Sequence, residues 1–281
     1  MLKPGDYVTH LFSTTTLDTL LLFTNLGHYL YVPVHEILDV KWKELGKHIS
    51  NFIPLSEGEK IIDALIINSK NSNVIMTTKS GATKRTRLNE LIVSRYSKPI
   101  NAMKLKDGDE MVSAILDNGR AIFITEKGYY LNIDSNEIPI VGAKASGVKG
   151  INVKDDVVVS VLSPKENSEY IGLFTSKNTS KRIKISELEK MSRAKKGSTL
   201  IKKVKSTQYD IIKAFLLDVH NIVGMKIDGE MKGIKASEIP IMDLASTGSL
   251  LSKKNIDDVF CLSEIEEIKI VKEEKVEKEE D

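Results

Sequence analysis

This chain states one pattern about every fifty residues, and that periodicity limits its possible folds more than any single motif does. A turn recurs at Thr24-Asn25-Leu26-Gly27, Thr78-Lys79-Ser80-Gly81, Thr125-Glu126-Lys127-Gly128, Thr175-Ser176-Lys177-Asn178 and Lys226-Ile227-Asp228-Gly229. The last positions lie 54, 47, 50 and 51 residues apart. Asn178 is the replacement expected where the backbone needs a positive φ, which Asn tolerates best after Gly. Nineteen residues beyond each turn position stand Gly46, Ile100, Gly147, Gly197 and Gly248, and Pro99 keeps a turn at the one copy without Gly. Ahead of each hairpin an apolar run opens at Val8, Ile62, Val112, Val159 and Ile212, and a sixth opens at Val259.

These runs are short, rich in Val, Ile, Leu, Tyr and Thr, and broken by turn residues, which predicts β-strands. Helical windows at 35–38, 89–92 and 186–191 suffice for a turn or so each. A unit of 47 to 54 residues suits a four-stranded blade. The expected architecture is therefore an all-β, propeller-like ring of about five four-stranded repeats rather than a solenoid. The third copy, residues 122–151, shows the whole unit. It runs strand, turn, strand, a short apolar run at 138–141, and the basic loop Lys144-Ala145-Ser146-Gly147-Val148-Lys149-Gly150. No linker interrupts 5–262, so one domain is expected, with repeats near 5–55, 58–106, 107–154, 155–205 and 208–254. The surplus strand at 257–262 is expected to close the ring against the first blade. Residues 263–281, where Glu alternates with Lys, are expected to be disordered.

Several chemistries find no support. No run of 18 apolar residues exists to span a membrane as a helix, and the N-terminus has no signal-peptide core. The single cysteine, Cys261, removes disulfide frameworks and Cys-based zinc sites and fits a reducing cytoplasm. Five scattered histidines form no metal pattern, and His28, beside a turn, reads as solvated. There is no P-loop pattern, and neither a metal nor a cofactor is expected. A stand-alone propeller enzyme would need polar residues converging on a central channel, and the repeats offer none at equivalent positions.

Charge is distributed unevenly. The tail at 263–281 carries nine acidic residues against four lysines, −5, so the overall +2 leaves the body at +7. A basic body suggests a polyanionic partner, while a solvated lysine surface is the plainer alternative. Four of the five loops around the second landmark are cationic. The first carries Lys41, Lys43 and Lys47, the second Arg95 and Lys98, the third Lys144 and Lys149, and the fourth Arg193, Lys195 and Lys196. The fifth, Ala245-Ser246-Thr247-Gly248-Ser249, has none. In a ring these loops would set charges at intervals along one rim, and the small residues among them let backbone N–H groups approach phosphate oxygens. A second series lies on the hairpins: Lys84-Arg85-Thr86-Arg87, Lys181-Arg182-Ile183-Lys184, and Lys232 with Lys235. Solvated strand ends guarded by Lys are the competing explanation. Trp42 and Tyr96 are placed either to stack on bases or, more commonly for rim aromatics, to pack on a neighbouring blade. No recognition helix is present, so sequence-neutral phosphate binding is expected.

Leu21-Leu22-Phe23-Thr24-Asn25-Leu26-Gly27, Val34-His35-Glu36-Ile37 and Trp42-Lys43-Glu44-Leu45-Gly46-Lys47-His48 resemble the C-terminal domain of the A subunit of bacterial topoisomerase IV. Ala145-Ser146-Gly147-Val148-Lys149-Gly150-Ile151 and Met191-Ser192-Arg193-Ala194-Lys195-Lys196-Gly197 fit the same family and its gyrase relative. The resemblance covers nearly everything but the acidic tail. It implies a β-pinwheel whose basic outer rim binds and bends duplex DNA. Its implied partners are double-stranded DNA, the same polypeptide's N-terminal breakage-reunion region and, indirectly, the ATPase subunit. It also implies a cytoplasmic, nucleoid-associated location and no membrane. In the gyrase relative a Gln-Arg-Arg-Gly-Gly-Lys-Gly heptapeptide permits DNA wrapping. Here residues 144–150 keep only the Gly, Lys and Gly of its second half, which favours topoisomerase IV over gyrase. The family's cleaving tyrosine and ATPase lie in regions this chain does not match, so no catalysis by the chain alone is expected. A protein-interaction propeller without DNA binding is the alternative from another class.

Overall fold

The computed structural model describes residues 8, 10, 11, 13–41, 44, 46–67 and 72–262, and the expectation for 263–281 lies outside them. The first hairpin is β1 (Thr19–Thr24) and β2 (His28–Pro33). In chain order follow β3 (Ile61–Ile67), β4 (Asn73–Thr78), β5 (Ala82–Arg87), β6 (Ile100–Asn101), β7 (Met111–Leu116), β8 (Arg120–Thr125), β9 (Tyr129–Asp134) and β10 (Val148–Lys149). Then come β11 (Val158–Leu162), β12 (Tyr170–Thr175), β13 (Thr179–Lys184), β14 (Ser198–Thr199) and β15 (Ile211–Leu217). The last are β16 (Ile222–Ile227), β17 (Glu230–Lys235), β18 (Ser249–Leu250) and β19 (Ile256–Leu262). The helical windows hold single 3-10 turns at Val34–Glu36, Leu88–Leu91 and Ile185–Glu187.

Five sheets form the blades, in the orders β3-β1-β2-β6, β10-β5-β4-β7, β11-β8-β9-β14, β15-β12-β13-β18 and β17-β16-β19. Every hairpin is thus flanked by strands that come later in the chain. The long opening strand of the following repeat pairs with the first hairpin strand, and that repeat's two-residue strand pairs with the second. The fifth blade has three strands among the described residues. The same rule corrects the expected role of the surplus strand. β19 does not close the ring on the first blade; it pairs with β16, from Ile222 opposite Leu262 to Ile227 opposite Ile256.

The first four turns share one geometry: the N–H of Gly27, Gly81, Gly128 or Asn178 donates to the threonine carbonyl three residues earlier. Asn178 has φ 57°, the conformation its place in the repeat required. The fifth turn is different and one residue shorter. Ile227 stands directly opposite Glu230, and Asp228 and Gly229 take φ 51° and 81°, as a two-residue hairpin turn demands.

Strand alternation sends successive side chains to opposite faces, so the apolar cores lie between blades. Leu21 and Phe23 of blade 1 meet Val74 and Met76 of blade 2, and Ile75 of blade 2 meets Ala121 and Phe123 of blade 3. Ile122 and Ile124 then meet Ile171 and Leu173, and Phe174 meets Val223 and Met225. Each fully buried side chain of this size contributes roughly 1.5–3 kcal/mol. The remaining face of blade 1 is covered by its own repeat, where Ile49, Phe52, Ile53 and Leu55 pack on Leu20, Leu22, Leu30 and Val32.

The opening strands β3, β7, β11, β15 and β19 are successive neighbours around the axis. A cavity of about 660 Å³ there is lined in part by Asp63, Met111, Lys213 and Phe260. Contrary to expectation, these strands do carry polar residues at one register position: Asp63, Ser113, Ser160 and Lys213. Asp63 Oδ2 accepts from the Ala114 N–H at 2.8 Å and Ser160 Oγ from the Ala214 N–H at 3.0 Å, so both stitch neighbouring strands together. Burial pushes the Asp63 carboxyl up to about 6. His28 is not simply solvated either. Its Nδ1 lies 2.8 Å from Oε1 of buried Glu59, which also accepts from the Thr24 hydroxyl at 2.7 Å.

Candidate nucleic-acid interface

The short strands decide where the basic loops go. By holding β10, β14 and β18 against β5, β9 and β13, the fold lays each loop across the hairpin of the preceding repeat. Close backbone contact is required, and the second-landmark glycines permit it. Gly147 and Gly197 have φ 78° and 85°. A Cβ on either would fall 2.4 Å from the Thr83 carbonyl oxygen or 1.8 Å from that of Tyr130. Gly46 has nothing within 4 Å of its Cβ position among the described residues.

Consecutive loops then bond backbone to backbone. The Lys104 N–H donates to the Ala145 carbonyl, Ala194 to Gly150, Asn152 to Lys195, and Lys202 to Ser246. Arg193 Nη1 reaches the Lys149 carbonyl at 2.6 Å, while its N–H donates to Glu137. The second loop crosses the first repeat, where Tyr96 stacks 5.3 Å from Tyr31 and donates its hydroxyl to Glu36 at 2.6 Å. Tyr96 therefore packs on its neighbour; Trp42 lies outside the described residues. Lys41, Lys47, Arg95, Lys98, Lys144, Lys149, Lys195 and Lys196 are exposed, Arg193 is half-buried, and Lys43 lies outside the described residues.

The hairpin series divides in two. Lys84 and Arg85, expected at the surface, are 0% and 7% exposed, and Lys181 and Arg182 are 1% and 7%. The physical reason is the loop of the next repeat, which covers them and presents carbonyls. Lys84 Nζ donates to the Gly142 and Ala143 carbonyls at 2.9 and 3.1 Å. Lys181 Nζ donates to those of Asp243, Leu244 and Ser246 at 2.8, 3.0 and 3.0 Å. Arg85 Nε and Arg182 Nε reach the Ile138 and Ile239 carbonyls, and Arg85 Nη1 pairs with Asp117 at 2.9 Å. These cations hold the rim loops from behind. Lys232, at the equivalent place in the fifth hairpin, has no such loop over it among the described residues and is exposed.

Burial pushes the Lys84 and Lys181 ammonium groups down from 10.5 to about 8. Between about 8 and 10.5 the unfolded chain then binds the extra protons, so stability gains with rising pH in that window. The stability of the wild type relative to a Lys84→Met/Lys181→Met variant is expected to increase from about pH 7.5 to about pH 10. Urea midpoints measured across that range check this, and a constant difference refutes it.

A second row of cations lies outside the loops that the sequence pattern singles out. Lys104 and Lys106, Lys154, Lys202, Lys203 and Lys205, and Lys253 and Lys254 are exposed four to eight positions after the second landmark in repeats two to five. Their signal in the sequence is a further recurring window in the same repeat.

The sequence profile of the family described as DNA gyrase C-terminal domain, beta-propeller, matches residues 18–68, 72–116, 120–165 and 169–217. The A subunit of DNA topoisomerase 4 from Bacillus subtilis (strain 168) is 36% identical over 253 residues, 88% of this chain and 31% of that protein. Its counterpart from Staphylococcus epidermidis (strain ATCC 12228 / FDA PCI 1200) is 37% identical over 217 residues, 75% of this chain and 27% of that protein. The chain thus spans less than a third of the length of these curated relatives. A crystal structure of the C-terminal domain of DNA topoisomerase IV superposes with TM-score 0.84 at 34% identity, covering 93% of this chain and 84% of that one. A DNA gyrase A C-terminal domain shares the fold, with TM-score 0.72 at 21% identity over 89% of this chain and 84% of that one.

Proposed function

Given that this chain belongs to the β-propeller family of DNA gyrase and topoisomerase IV C-terminal domains, we propose that it binds duplex DNA through the phosphate backbone along its basic rim and bends it. The observation that carries this reading is that the segments after the second and third loops bond backbone to backbone to the third and fourth loops, which sets their charges in one row. Exposed lysines on such a track displace condensed counterions from the duplex, which supplies most of the affinity. A curved track meets more phosphates on a bent duplex than on a straight one. Bending 20–30 bp costs about 1–6 kcal/mol, which several phosphate contacts offset. Among the described residues the rim holds no recognition helix, so binding is sequence-neutral.

In this reading the domain cleaves nothing itself. It presents DNA segments to the breakage-reunion region of its own polypeptide, in an enzyme whose ATPase is on another polypeptide, and so biases decatenation and relaxation. The Lys144–Gly150 segment without paired arginines, and the 34% against 21% identity to the two solved relatives, favour topoisomerase IV over a wrapping gyrase.

Lys144→Ala/Lys195→Ala/Lys196→Ala tests the reading. Gel-shift titrations on linear duplex across salt are expected to show the slope of log K against log[salt] shallower by about 2–3 in this variant. Circular-permutation mobility is expected to show a bend in the wild-type complex. Failure of the wild type to bind at low salt, or an unchanged slope in the variant, overturns the assignment.

A further inference from the structure

The fifth loop leaves the track without charge on the side of Ala245-Ser246-Thr247-Gly248-Ser249. What lies against that loop is the segment after the fourth one, since the Lys202 N–H donates to the Ser246 carbonyl at 3.2 Å. This segment folds back on itself through a bridge between Val204 and Thr207 and encloses an open cleft of about 470 Å³. Lys127, Lys202, Lys203 and Lys205 line it together with Thr207 and Gln208, and no carboxylate does.

Beside the cleft, two ammonium groups crowd one phenol. Lys196 Nζ and Lys203 Nζ lie 4.1 and 4.2 Å from the centre of the Tyr129 ring, and Lys203 also donates to the Tyr129 hydroxyl. Hydrogen bonds from Lys203 and Lys196 hold the phenol below its ordinary range. Ion pairs among the described residues engage His28, Lys79, Arg85, Arg87 and Lys254, and these lie outside this group. Lysines gathered this closely repel one another, and an incoming anion relieves that repulsion. Hydroxyl donors among them suit phosphate oxygens, while Gln208 Nε2 donates to Asp210 Oδ1.

We infer that the cleft formed by residues 201–209, with Lys127 and the Tyr129–Lys196–Lys203 group, is a separate phosphate station for duplex DNA. It anchors the backbone where the fifth loop supplies no cation and carries the track beyond the fourth loop. The inference rests on the reading of the rim as a DNA track. It adds to that reading a contact supplied largely by the second row of lysines.

Lys202→Ala/Lys203→Ala/Lys205→Ala tests it on the full chain with linear duplex, against Lys60→Ala/Lys79→Ala/Lys213→Ala. The second variant removes the same charge from residues lining the axial cavity. Circular dichroism melts verify that both variants are folded. The cleft variant is expected to lose about 10- to 100-fold in affinity at low salt, with a slope shallower by about 2–3, and the axial variant to keep a near wild-type slope. Equal effects of the two variants, or no effect of the first while the wild type binds, overturn the station alone. A wild type that binds no duplex at low salt overturns the station and the track together.

Discussion

Gly197→Ala is expected to destabilise the domain by about 3–4 kcal/mol, the sum of a left-handed alanine and an overpacked contact. At φ 85° the new Cβ would stand 1.8 Å from the Tyr130 carbonyl oxygen and 2.6 Å from its carbon. Both are backbone atoms of β9, so no side chain can swing aside. The contact opens only if β14 leaves β9, which separates Ser198 and Thr199 from Tyr130 and Tyr129. The fourth loop, with Lys195 and Lys196, would shift as well, so DNA affinity is expected to fall together with stability. Gly46→Ala is the control: its Cβ meets nothing among the described residues, and a change within about 0.5 kcal/mol is expected. Urea unfolding of both variants measures the contrast, and similar midpoints would refute the docking role of Gly197.

Arg85→Met is expected to cost about 3–5 kcal/mol, the usual consequence of leaving one partner of a buried ion pair behind. Arg85 and Asp117 side chains are 9% and 6% exposed and meet at 2.9 Å. The guanidinium also donates to the Ile138 carbonyl and Asn136 Oδ1, so it fastens the third repeat to the second blade. Adding Asp117→Asn removes the stranded charge, and the double variant is expected to recover part of the loss in a double-mutant cycle. The pair Lys79–Glu110, 48% and 42% exposed, sets the scale for a solvated bridge, where removal costs about 1 kcal/mol or less. Additive effects of Arg85→Met and Asp117→Asn would show that the pair is not coupled.

The period, the strand content and the special backbone positions are legible in the residues, because each leaves a local trace. Asn178 in place of Gly, and Gly147 and Gly197 at a constant offset, are backbone requirements written as residue types. Partner choice leaves no such trace. An opening strand that pairs with its own hairpin and one that pairs with the preceding hairpin have the same spacing and the same alternation. That is why spacing points β19 to the first blade, whereas it lies on β16. Charge misleads for a related reason. Lys84 and Lys181 sit on strands where a cation normally faces water, and only the loop of a different repeat shows that carbonyls wait for them. The second row of lysines needs no long-range knowledge, only a window four to eight positions past the second landmark.

The exchange of strands between repeats also sets a timetable. A chain emerging from the ribosome completes the first hairpin at Pro33, yet the strand that finishes that blade, β6, begins at Ile100. The second blade waits from Arg87 to Val148, the third from Asp134 to Ser198 and the fourth from Lys184 to Ser249. From Pro33 to Ser249 at least one hairpin therefore stands unfinished at the growing end, its edges open to any other extended peptide. In the folded chain each repeat seals the one before it. A translational pause within any of these intervals leaves an exposed strand edge as the point of failure.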